Sequence, residues 1–111
     1  MPSSLITELN EKNFDSETFD SEGPVLVYFG AEQRCGICMK LVPLLEELAE
    51  EYAGKLKVRK VNVDQCPSLA TRFRLRGIPA LFLFKDGLVE EQLGGFHEKA
   101  ALVSVLDKHL R

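Results

Sequence analysis

The sequence predicts an α/β fold, a central mixed β-sheet with helices on both faces, in a single domain spanning residues 1–111. Three observations carry this. Short strand-like runs, "PVLVYF" (24–29), "LKVRKVNVD" (56–64) and "ALFLF" (80–84), are separated by stretches of helical periodicity. The turn "KDG" (85–87) between "ALFLF" and "LVEEQL" (88–93) marks a hairpin, which places an antiparallel pair beside β–α–β units. A chain of 111 residues suits one hydrophobic core.

Each element has a local reason. The N-terminus gives an edge strand near Leu5–Leu9 and a short helix around Asn13–Phe19. "PVLVYF" is continuously apolar after Gly23-Pro24, as befits a strand buried on both faces. From Cys35 to Tyr52, Leu41, Leu44, Leu45, Leu48 and Tyr52 recur at helical spacing; Gly54 closes that helix, and Pro43 inside it removes a hydrogen bond and kinks it. "LKVRKVNVD" alternates and is valine-rich. "CPSLATRFRL" (66–75) has Pro67 in a first turn, with Leu69 and Phe73 four apart. Asp-Gly favours a type I′ turn, and Leu102, Val105 and Leu106 mark a closing helix after Gly94-Gly95. The order is β-α-β-α-β-α-β-β-α.

Composition narrows the function classes. Apolar residues make up 45% and charged residues 28%, ordinary for a globular protein, and a net charge of -3 gives no electrostatic reason to expect nucleic acid or an anionic membrane as partner. No apolar run approaches the ~18 residues of a membrane span. "MPSSLITELNEKNF" lacks a basic region followed by an apolar stretch, so a cytoplasmic address is expected. Three cysteines are too few, and too odd in number, for a disulfide scaffold.

"AEQRCGICMK" (31–40) holds the chemistry. Cys35 and Cys38 stand where the buried strand gives way to a helix. Such a pair is a redox dithiol, half of a metal site, or two small core residues. A zinc site needs about four ligands, and the chain adds only Cys66, His97 and His109, with no second Cys-x-x-Cys. A helix N-terminus offers unpaired N–H groups and the positive end of the dipole, which favour a thiolate. Cys35 can therefore attack a disulfide and Cys38 resolve the adduct. Lowering a thiol pKa from about 8.5 to about 7 raises the thiolate fraction roughly fifteenfold, but lost nucleophilicity cancels about fivefold of that. Docking of the target and departure of the leaving sulfur must contribute more.

Several segments together resemble the thioredoxin family over nearly the whole chain: "VYFGAEQRCGICMKLVPLLEELA", "KVRKVNVDQCP" and "RGIPALFLFKDG". The resemblance implies the thioredoxin fold and a protein-disulfide reductase. It makes Cys35 the attacking thiolate, Cys38 the buried resolving thiol, and Lys60 a catalytic neighbour beneath them. Gly36, Ile37, Ile78, a cis-proline at Pro79 and Gly94 form the docking surface. It also implies disulfide-containing target proteins and a thioredoxin-reductase-like flavoprotein or other dithiol donor as partners, with no bound cofactor, no metal and a monomeric state. From the residues alone, Lys60 reads first as a side chain reaching solvent at a strand end. Cys66 reads as a small packed residue, or else as a regulatory thiol, and Arg72, Arg74 and Arg76 as a solvated face.

The chain departs from the family pattern Trp-Cys-Gly-Pro-Cys. It has no tryptophan. One residue is inserted between Ala31 and Cys35, Gly30 stands where the first family tryptophan sits, and Tyr28 falls at the family's buried acid. Ile37, in place of the proline, restores an N–H and loosens the first helical turn, which predicts a less reducing potential. These departures keep open a second reading: a thioredoxin-fold binding or assembly subunit whose dithiol is not turned over.

Overall fold

The computed structural model describes residues 5–110; the predicted domain's extreme ends, 1–4 and 111, lie outside them. The elements are β1 (Ile6–Glu8), α1 (Phe14–Glu17), β2 (Val25–Gly30), α2 (Gly36–Glu51), β3 (Lys57–Asn62), α3 (Pro67–Arg72), β4 (Ala80–Lys85), β5 (Leu88–Gly94) and α4 (Lys99–His109). The order is the one the sequence predicts. The sheet runs β1-β3-β2-β4-β5. β1, β3 and β2 are parallel, β4 is antiparallel to β2, and β5 is antiparallel to β4.

β2 is central and buried at all six positions, which is why its run shows no alternation. Val25, Val27 and Phe29 face the core under α1 and α3, while Leu26 and Tyr28 face the core under α2 and α4. Helices therefore cover both faces, and the strand that leads into the cysteine loop is the most enclosed in the sheet. Full burial of each Val, Leu or Phe is worth about 1.5–3 kcal/mol, so this strand is a firm anchor for the loop that follows.

The first core is built on phenylalanine. Phe14, Phe19, Phe29, Phe73, Phe82 and Phe84 pack with ring centroids 4.9–6.4 Å apart. Arg72 is exposed, as the solvated-face reading expects. Its guanidinium lies 5.2–5.7 Å from the rings of Phe14, Phe19 and Phe73 and pairs with Asp15 at 2.8 Å.

The hairpin turn has φ +55° at Asp86 and +78° at Gly87, the two positive values a type I′ turn requires. A register shift between Leu83 and Phe84 was not anticipated, because "ALFLF" is apolar throughout and gives no phase to read. α2 stops at Glu51, and Gly54, at φ +85°, turns the chain toward β3.

Candidate active site

β2 delivers the chain to the carboxyl end of the parallel strands, where α/β folds hold their sites. Cys35 is the N-cap of α2, in extended conformation (φ -132°, ψ 101°). Its Sγ accepts a hydrogen bond from the Cys38 backbone N–H at 3.1 Å, as a capping serine oxygen would. Cys35 and Cys38 are joined by a disulfide with Cα atoms 5.2 Å apart. The two sulfurs are unequal: Cys35 is partly exposed, whereas Cys38 is fully buried among the apolar residues of α2 and the sheet.

The approach loop is held by an ion pair that sequence reading missed. Arg34 donates through Nε and Nη2 to the two carboxylate oxygens of Asp64, both at 2.9 Å. The bond to Asp64 pushes the guanidinium's pKa up, and the bond to Arg34 holds the Asp64 carboxyl below its ordinary range. The pair ties the loop to the β3–α3 turn. An arginine and an aspartate 30 residues apart carry no pairing signal in a single sequence.

The other predicted residues fall around the pair. Ile78–Pro79 is a cis peptide. Ile78 packs in the same apolar cluster as Cys35, Cys38 and Leu93. Gly94 is paired with Ala80 across β4 and β5, and the Gly95 N–H donates to the Pro79 carbonyl at 2.8 Å. A Cβ built at Gly94 or Gly36 meets nothing within 4 Å, so both positions open outward. Gly95, at φ +81°, is the position whose backbone needs glycine, which the sequence reading did not separate from Gly94. Ile37 is 52% exposed, and Met39, not singled out beforehand, is 61% exposed. Lys60 is half-buried between Glu8 and Tyr28 in the strand register, on the sheet face that α2 covers, with no ion pair among the described residues. It lies one strand away from the strand that leads to the sulfurs.

Tyr28 lies in the same buried cluster as Cys38. It is 1% exposed and packs with Cys38, Leu41 and Leu81, and its hydroxyl has no hydrogen-bond partner among the described residues. Burial, with a smaller contribution from the Glu32 charge, pushes its pKa up. A Cβ on Gly30 would lie inside the envelope of the Tyr28 Oη and Cζ and 2.9 Å from Cε2. The ring thus occupies the space that a side chain at position 30 would need.

Tyr52 is the chain's other tyrosine. Burial, then a 2.8 Å hydrogen bond to Asp107, pushes its pKa up to about 12. Both phenols are raised in the fold above the unfolded value of about 10. Their contribution to stability is therefore present below about pH 10 and is lost as pH rises through the folded values. With no tryptophan to obscure phenolate absorbance, titration of native protein is expected to show almost no tyrosinate at about pH 10.5, and both phenolates on unfolding in denaturant. A full native phenolate signal at that pH would contradict this account.

Among the described residues, no three of His, Cys, Asp and Glu are grouped to hold a metal ion. Cys66 is buried at the N-cap of α3, and burial pushes its thiol pKa up. No helix among the described residues is long and apolar enough to cross a membrane.

A sulfur held at a helix N-terminus, with a second sulfur closing the same turn from the buried side, is built to exchange disulfides. On this sheet the arrangement is that of the thioredoxin fold. Residues 5–108 match the thioredoxin family model. The chain is 44% identical over 91% of its length to thioredoxin M5, chloroplastic, of Oryza sativa subsp. japonica, and spans 58% of that relative. It is 41% identical over 97% of its length to thioredoxin C-2 of Corynebacterium nephridii, covering 99% of it, and 42% identical over 97% to thioredoxin of Acidithiobacillus ferridurans. The chain spans somewhat over half the length of the two plant relatives, 58% and 57%, and nearly all of the bacterial ones. It belongs to the thioredoxin family.

Proposed function

We propose that the protein reduces disulfides in other proteins, acting as a single thioredoxin-like domain. The observation that carries this is the Cys35 Sγ held 3.1 Å from the Cys38 N–H at the start of α2, exposed on one side and backed by a fully buried partner. In the reduced protein the Cys35 thiolate attacks one sulfur of the target disulfide. A Cys35–target bond forms, and the second target sulfur leaves as a thiolate and takes up a proton. Cys38 loses its proton and attacks Cys35; the mixed disulfide breaks and the first target thiol departs. Two electrons and two protons have passed to the target, leaving Cys35–Cys38 oxidised.

In this reading Gly36, Ile37, Ile78, Pro79 and Gly94 form the surface on which the target lies. Outward-opening glycines and an exposed Ile37 support that role. Lys60 supplies positive charge beneath the pair. A flavoprotein of the thioredoxin-reductase type, or another dithiol donor, restores the dithiol, and a cytoplasmic, monomeric state suits a protein kept reduced.

The test is insulin disulfide reduction with a small dithiol as electron donor. The rate is expected to exceed that of the donor alone and to scale with protein concentration. No acceleration, with Cys35 and Cys38 still readily oxidised, would overturn the proposal in favour of a subunit whose dithiol is not turned over.

A further inference from the structure

Between α3 and β4 an arginine occupies a backbone conformation that disfavours side chains. Arg74 has φ +53°, in the left-handed region that residues with a Cβ seldom enter. Arg74 and its neighbour Arg76 are both exposed. Arg34, Arg59 and Arg72 are paired with Asp64, Glu17 and Asp15, but Arg74 and Arg76 have no ion pair among the described residues. They line a groove of about 260 Å³ together with Ala80 and Phe82 of β4 and Gln92 and Gly94 of β5. Among the described residues, these two guanidiniums are the only charged side chains that line it.

The groove continues the proposed docking surface. Ala80 directly follows cis-Pro79 and is paired with Gly94, and Leu93, which also lines the groove, packs in the cluster of Cys35 and Ile78. A target strand lying across Pro79 therefore runs on into a slot with an apolar floor and two unpaired cations. We infer that this groove selects targets bearing Asp or Glu side chains a few residues from the attacked cysteine, seated against Arg74 and Arg76. The inference rests on the disulfide-reductase reading and adds a substrate class to it. Charge complementarity favours this occupant: planar guanidiniums present paired donors that match carboxylates. An apolar target segment would leave both cations unanswered, and a basic one would be repelled.

The test uses three disulfide peptides, identical except for two flanking positions carrying glutamate, glutamine or lysine, reduced with a small dithiol as donor. At low salt, kcat/KM for the glutamate peptide is expected to exceed that for the glutamine peptide by about fivefold to tenfold, the sum of two exposed charge pairs. The ratio should collapse toward one in about 0.5 M salt, where screening lengths are only a few ångströms. Arg74→Asn with Arg76→Gln should bring the ratio toward one at low salt, asparagine being chosen because it tolerates the left-handed conformation. Arg76→Glu should move the preference toward the lysine peptide, which damage to the loop alone would not do. A ratio near one in the unaltered protein, or one that survives the double substitution, overturns the inference while turnover of the glutamine peptide leaves the reductase reading standing. Failure to reduce any of the three overturns both.

Discussion

Cys38→Ser is expected to leave the protein stranded on its targets as mixed disulfides, while Cys35→Ser reduces turnover to the rate of the dithiol donor alone and traps nothing. The asymmetry follows from position. Cys35 sits at the cap with one side open and a backbone N–H on its sulfur, so it can meet an incoming disulfide. Cys38 is fully buried one turn further on, with its sulfur bonded to that of Cys35. Removing the resolving sulfur blocks only the second exchange, and the adduct accumulates. Removing the attacking sulfur blocks the first, and a serine hydroxyl, far weaker as a nucleophile without a general base, cannot replace it. Because a serine hydroxyl at position 38 would be buried among apolar groups, Cys38→Ala serves as a second variant and should trap equally. Non-reducing electrophoresis after incubation with a disulfide-bearing protein reads the result. Equal trapping by both single-cysteine variants would reverse or dissolve the division of labour.

Much of this was legible because local chemistry and global fold agree. The apolar run of β2, the Asp-Gly turn and the Cys-x-x-Cys at a strand-to-helix junction each announce one structure, and the sheet makes no exception to them. What stayed hidden depends on pairs of residues distant in sequence or silent in type. Arg34 and Asp64 are ordinary surface residues until the β3–α3 turn is folded against the cysteine loop. Arg72 reads as a helix-end cation until Phe14, Phe19 and Phe73 converge beneath it. Tyr28 and Gly30 were visible as two separate departures from the family pattern. Only the folded strand shows them as one steric arrangement, with the ring of the first lying over the second.

That arrangement gives Gly30→Ala a large expected cost in stability. A single methyl group at position 30 collides with the Tyr28 Oη and Cζ. Neither partner can yield cheaply: Tyr28 is 1% exposed, and β2 is hydrogen-bonded between β3 and β4. Overpacking at a closed core site costs about 1–3 kcal/mol or more, and the upper end is expected here, read by denaturant unfolding of the oxidised protein. Tyr28→Phe alone is expected to be neutral or to stabilise by about 1 kcal/mol, because it deletes a buried hydroxyl that has no partner. It should not rescue Gly30→Ala, since the ring carbons stay in the way. Tyr28→Leu alone should cost about 2 kcal/mol for the lost ring, yet in that background Gly30→Ala should cost little. The double-mutant cycle should therefore give a coupling of about 3 kcal/mol, at the upper end of the range for residues in contact. Because Tyr28 packs directly against the cluster holding Cys38, Gly30→Ala should also make Cys38 in the reduced protein more accessible to alkylation, and Tyr28→Leu should reverse that gain. Additive costs in the cycle would mean that the ring does not fill the space above Gly30.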